Sequence, residues 1–144
     1  MSFGSAAGRA PRDGFAVVAD DDSCPCGSGA RFGGCCAPIL RGVPAATAER
    51  LMRSRYTAFV VGDRRHLAET WHPGTRPRVI DLDPQLRWTG LEIVATTGGE
   101  AGARRGTVEF RAGWRDGRES GVLHEVSRFV FQSDRWWYLD GEHS

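Results

Sequence analysis

Every cysteine of the chain falls within one short stretch, "CPCGSGARFGGCC", residues 24–36. The spacing is Cys-x-Cys, eight residues, then Cys-Cys, which delivers Cys24, Cys26, Cys35 and Cys36 as two close pairs. Four thiolates in that arrangement can wrap a tetrahedral Zn²⁺ at about 2.3 Å per sulfur, a structural site with no open coordination position. Gly27, Gly29, Gly33 and Gly34 between the pairs permit the tight turns that bring them together and let backbone N–H groups approach the sulfurs. Arg31 supplies a cation beside a centre that would carry excess negative charge. Structural zinc is therefore the favoured reading. Two alternatives stay open: a pair of disulfides, opposed by the strain of bridging such close neighbours and by a reducing compartment, and a set of reduced thiols with a redox role.

Beyond the cysteines the chain must hold a core of its own. With 144 residues it has length for one ordinary domain and a small appendage. A formal net charge of +1 excludes the global attraction for nucleic acid or anionic membrane that a strongly basic chain exerts. No apolar run approaches the roughly 20 residues of a membrane span, and "MSFGSAAGRAPRDGF" lacks the apolar centre of a signal peptide, so a cytoplasmic location is expected.

The apolar pattern divides the chain. Residues 1–22, rich in Gly, Ala and Asp, offer only Phe15 to Val18 to bury and read as a flexible tail. The cysteine module occupies 23–40, and the two prolines of "APILRGVPAA" mark a connector. Thr47 caps a helix whose positions Leu51, Met52, Tyr56, Phe59 and Val60 form one apolar stripe, ended by Gly62. Asp63 caps a second, short helix. After Pro84 the alternation is that of strands: Leu91, Ile93 and Ala95 on one face, then Val108, Phe110, Ala112 and Trp114 on one face of a later run. "RDGR" (115–118) is a hairpin signal, "GVLHEVSRFVF" the next strand, and "RWWYLD" the last, after a turn at "QSD". Helices first and antiparallel strands afterwards specify an α+β domain over 45–141, with helices packed on one face of the sheet.

Two resemblances rest on these residues. "CPCGSGARFGGCC" resembles the SEC-C motif, a small zinc-binding module, and that likeness implies metal ligands at Cys24, Cys26, Cys35 and Cys36; the last ligand is often His in that motif and is Cys here. "LMRSRYTAF" (51–59), "TWHP" (70–73), "WTGLEI" (88–93), "GTVEF" (106–110), "HEVSRFVF" (124–131) and "RWWYLDG" (135–141) are similar to the YchJ family, also called UPF0225. That resemblance implies an N-terminal SEC-C module joined to an NTF2-like domain, a cone of helices against a curved antiparallel sheet. It implies no reaction.

Curved sheets closed by helices commonly enclose an apolar pocket with a few polar groups. The candidates to line it are Tyr56, Trp71, Trp88, Trp114, His124 and Arg128. His124 and Glu125 point to opposite faces of one strand and cannot form a dyad as neighbours, although His124 could meet Glu109 or Asp140 across strands. No nucleophile elbow, phosphate loop or dinucleotide fingerprint is present, and no catalytic residue is assigned. Residues 31–65 are locally basic, a solvated face or a patch for RNA or an acidic protein. The expected function is that of a zinc-binding adaptor, its zinc module standing apart as a protein-contact surface and its NTF2-like pocket open to a small ligand, as a monomer or homodimer. The alternatives are an isomerase, hydratase or hydrolase using the pocket, and a nucleic-acid or ribosome-associated factor.

Overall fold

The computed structural model describes residues 14–143. Three helices come first, α1 (Cys36–Leu40), α2 (Ala48–Val61) and α3 (Arg64–Glu69). Four strands follow, β1 (Leu86–Gly98), β2 (Arg105–Asp116), β3 (Glu119–Gln132) and β4 (Arg135–His143), in one antiparallel sheet ordered β1-β2-β3-β4. The α+β class expected from the order of patterns is the one found.

Local chemistry sets the boundaries. The Thr47 side chain accepts from the Arg50 N–H at 3.1 Å to start α2, and Asp63 accepts from the His66 N–H at 3.0 Å to start α3. Between β3 and β4, Ser133 and Asp134 both take positive φ, 53° and 63°, the geometry of a two-residue hairpin turn. Strand β1 breaks register twice, between Trp88 and Gly90 and between Ile93 and Ala95. A bulge turns the following side chains to the other face. Ala95, expected beside Leu91 and Ile93, consequently lies opposite Glu109 and is exposed.

Helix α2 is buried on more than its expected stripe. Ser54, Arg55, Thr57 and Ala58 are buried as well as Leu51, Met52 and Tyr56. The cause is enclosure from two sides. The sheet presents Val108, Phe110 and Phe129 to the core, and all four cysteines lie in the same buried cluster as these residues and Leu51. The cysteine module, expected to stand apart, is fused to the main core.

Of the tail expected over 1–22, residues 1–13 lie outside the described residues. Residues 14–22 are not loose. The Ala16 N–H donates to the Val60 carbonyl at 3.1 Å, Phe15 covers the end of α2, and Val18 packs on the core. The Phe15 to Val18 patch is enough to bury once α2 offers it a seat.

The segment after α3 is clasped to the last strand. Trp71 bridges to Tyr138, with the Tyr138 N–H donating to the Thr70 carbonyl and the His72 N–H to the Tyr138 carbonyl, both at 2.8 Å. This clasp fixes Trp71 beside the sheet.

Candidate metal centre and ligand pocket

The cysteine cluster is assembled from a turn and a helix start. Ser23 pairs with Arg31, the Cys24 N–H donates to the Ala30 carbonyl at 2.9 Å, and the reversal between them uses Gly27 and Gly29 at φ 78° and 89°. Cys35 follows a short 3-10 turn, and Cys36 opens α1. The four sulfurs lie within 4.8 Å of one another, and Cys26 Sγ is 3.6 Å from Cys35 Sγ. Sulfurs at the corners of a zinc tetrahedron stand about 3.8 Å apart, given the usual zinc–sulfur distance. The donor set fits a metal ion.

Around the sulfurs the polar groups come mostly from α2. Thr57 donates to Cys36 Sγ at 3.4 Å, and Ser28 Oγ lies 3.1 Å from Cys35 Sγ. Arg53 donates to the Cys26 carbonyl at 2.8 Å and reaches its sulfur at 3.9 Å. The cation expected at Arg31 is elsewhere, exposed and 3.7 Å from Asp21. Sequence reasoning missed Arg53 because it stands 27 positions from Cys26. Hydrogen bonds within the cluster split the thiols: those with Cys24 and Cys36 hold Cys26 well below the ordinary thiol range, the bond with Cys26 raises Cys24, and the bonds with Cys24 and Cys26 push Cys36 above that range. Cys26 is thus the sulfur held as thiolate, the form that binds a metal, while Cys24 and Cys36 would give up their protons on binding one.

The opposite flank of α2 faces a cavity of about 310 Å³ between the helix and the inner face of the sheet. Its walls are mainly apolar and aromatic, with Met52, Phe59, Phe110 and Leu123 among them. Tyr56 meets Trp88 edge-on at 6.3 Å between ring centroids, and Trp71 meets Tyr138 at 5.0 Å. Two charges are set into these walls. Arg55, 3% exposed, lies over the Trp71 and Tyr138 rings at 5.1 and 4.3 Å. Its Nη1 donates to the Leu67 carbonyl and to Thr70 Oγ1 at 2.9 and 2.7 Å. Glu125, 8% exposed, accepts from Ser127 Oγ at 2.7 Å, and its other oxygen is 2.8 Å from His143 Nε2. Gly141 leaves the space for this carboxylate, because a Cβ there would collide with it. Burial pushes the Tyr56 and Tyr138 hydroxyls up to about 12, so both stay protonated donors.

A profile of the YchJ middle, NTF2-like domain matches residues 47–141. The chain belongs to the YchJ family. It is similar to a UPF0225 protein of Streptomyces coelicolor, 53% identical over 120 residues that cover 83% of this chain and 94% of the relative. A UPF0225 protein of Cupriavidus metallidurans is 44% identical over 126 residues, covering 83% and 87%. Among solved structures, the solution structure of a SEC-C motif containing protein from Rhodopseudomonas palustris superposes with a TM-score of 0.74 at 36% identity, covering 84% of this chain and 98% of that one. A crystal structure of a SEC-C motif containing protein from Psychrobacter arcticus gives 0.71 at 30%, covering 87% and 84%.

Within this YchJ fold the six expected pocket residues separate. Tyr56, Trp71 and Trp88 line the cavity. Trp114 stands opposite Trp88 in register, but its ring lies on Gly121, where it fills the end of the sheet. His124 and Arg128 are on the outer face, because β3 alternates and Glu125 and Ser127 take the inner one. His124 bonds Glu109 at 2.6 Å, and Arg128 grips Asp140 with two bonds of 2.6 and 2.8 Å. Arg55 and Glu125 were missed, although Arg55 has apolar Leu51, Met52, Ala58 and Phe59 at i±4 and i±3, and Glu125 shares its strand face with Leu123, Phe129 and Phe131. The expected basic patch is also dispersed. Arg41 pairs with Asp20, Arg65 with Glu69 and Arg53 with Glu49, while Arg64 donates to the Ile80 carbonyl and Arg55 is buried.

Among the described residues no helix is long and apolar enough to cross a membrane.

Proposed function

We propose that this protein is a zinc-stabilised binding protein: Cys24, Cys26, Cys35 and Cys36 hold a structural Zn²⁺, and the NTF2-like cavity holds a small, largely apolar ligand. The observation that carries the reading is that one helix, α2, closes a four-sulfur cluster on one flank and roofs an open aromatic cavity on the other. A closed sulfur set leaves no coordination position for substrate, so the zinc serves the fold and the cavity serves recognition. The exposed loop over 27–31 is the surface the zinc module offers to a protein partner, which keeps the adaptor role within the same reading.

The test measures both halves. Elemental analysis of purified protein should find one zinc per chain, and small aromatic probes should shift the indole N–H resonances of Trp71 and Trp88. Ala112→Trp, which fills the cavity, should abolish those shifts. A protein that folds without metal, or an A112W variant that still binds, defeats the proposal.

An enzyme is the second reading, favoured by a specific contact: a histidine meets a buried carboxylate at the cavity, His143 with Glu125. Glu125 would act as general base on a small carbonyl compound. Glu125→Gln should then remove turnover while leaving the binding of an uncharged aromatic probe intact.

A further inference from the structure

The cavity buries two opposite charges that do not pair with each other. Arg55 and Glu125 both line it, yet no ion pair joins them. A buried charge without a partner is costly, so each is held by neighbouring groups, and in both cases the holding is incomplete. Arg55 commits only Nη1; its Nε and Nη2 hydrogens have no protein partner among the described residues. They are not sealed in either, since the only fully buried side-chain nitrogen or oxygen lacking a partner there is Trp71 Nε1. One oxygen of Glu125 accepts from Ser127 and, at 3.5 Å, from the Tyr138 hydroxyl, while the other is met only by His143, a side chain 66% exposed at the end of β4 that a ligand can displace.

We infer that the cavity takes a two-ended ligand: a small aromatic or branched apolar molecule that presents a cationic N–H donor to Glu125 and a carboxylate or carbonyl acceptor to Arg55. This rests on reading the cavity as a ligand site. A purely cationic molecule would satisfy Glu125 but face the permanent charge of Arg55, and a purely anionic one would satisfy Arg55 but face Glu125. Only a molecule with both ends cancels both penalties, which makes each charge an attraction for the right ligand and a repulsion against the wrong one. The body of the ligand would lie against Tyr56, Trp88 and Phe110, whose faces suit flat or branched apolar groups. A volume of about 310 Å³ limits it to a small metabolite.

The test compares three probes of similar body by titration calorimetry on the full chain: L-phenylalanine with both ends, phenethylamine with the donor end, and 3-phenylpropionate with the acceptor end. L-Phenylalanine is expected to bind at least about tenfold more tightly than either other probe. In Glu125→Gln, checked for folding by near-UV circular dichroism, that advantage should fall to about twofold or less, while 3-phenylpropionate binds as well as before or better. The wild-type comparison stands alone if the variant does not fold. A one-ended probe that binds as tightly as L-phenylalanine overturns this inference and leaves the cavity a ligand site. No saturable binding by any of the three up to about 10 mM overturns both.

Discussion

The two flanks of α2 use polar residues in opposite ways. On the flank of Arg53 and Thr57 the Arg53 Nη1 and the Thr57 hydroxyl turn inward on the sulfurs and their turn, and the Arg53 Nε is taken by Glu49. On the flank of Arg55 and Tyr56, only one or two positions along the helix, charges sit in an aromatic wall with bonding capacity left over. On the proposed reading, one helix carries a structural centre and a recognition site side by side, with the first saturated and the second not. Saturation, more than burial, separates the two roles.

The largest test of this contrast is at the sulfurs. Because the cluster shares one core with the sheet, Cys35→Ser combined with Cys36→Ser is expected to cost several kcal/mol and lower the melting temperature of the whole chain by about 10 °C or more, read by thermal melts with metal analysis. A variant whose sheet melts as before would mean two independent modules and would break the comparison.

Acid should act next. His66, buried against Ser54 with Arg55 and Arg65 nearby, has its pKa held down to about 4 from an ordinary 6.5, chiefly by burial. The unfolded chain takes up the proton first, so stability should fall as pH drops through 6.5 and level off near 4. The loss is on the order of 3 kcal/mol. Urea melts at pH 7 and pH 4.5 measure it, and His66→Gln should flatten the dependence.

On the cavity flank, Gly141→Ala places a methyl against the Glu125 carboxylate and is expected to cost about 1–3 kcal/mol, with the displaced carboxylate narrowing the cavity. Melting and probe binding should change together; a stable variant with unaltered binding would show that Glu125 is free to move. The smallest effect belongs to Thr57→Val. Losing the bond to Cys36 should weaken zinc about tenfold in a chelator competition, with about 1 kcal/mol of stability lost.

Legibility in the sequence followed the range of each interaction. Caps at Thr47 and Asp63, the hairpin at 115–118 and the cysteine pairs are contacts among near neighbours, and each was readable. The bulge that turned Ala95 outward changes register without a glycine or proline to mark it, so alternation misplaced that residue. Arg53 beside Cys26, and Arg55 over Tyr138, are set by how distant segments pack, which periodicity cannot report. His124 looked like a pocket residue because histidine is chemically versatile; the pleat alone, already legible, put Glu125 on the inner face instead.

The clasp between Thr70, Trp71, His72 and Tyr138 has a kinetic consequence. Successive hairpins let the sheet form from neighbouring segments, and the cysteine turn closes over a dozen residues. The clasp joins segments 67 residues apart, so its closure entropy is larger and its amides are expected to gain protection late. The sulfur centre can then be complete while the wall carrying Trp71 is still open, and a small molecule could enter the cavity before its last side is in place.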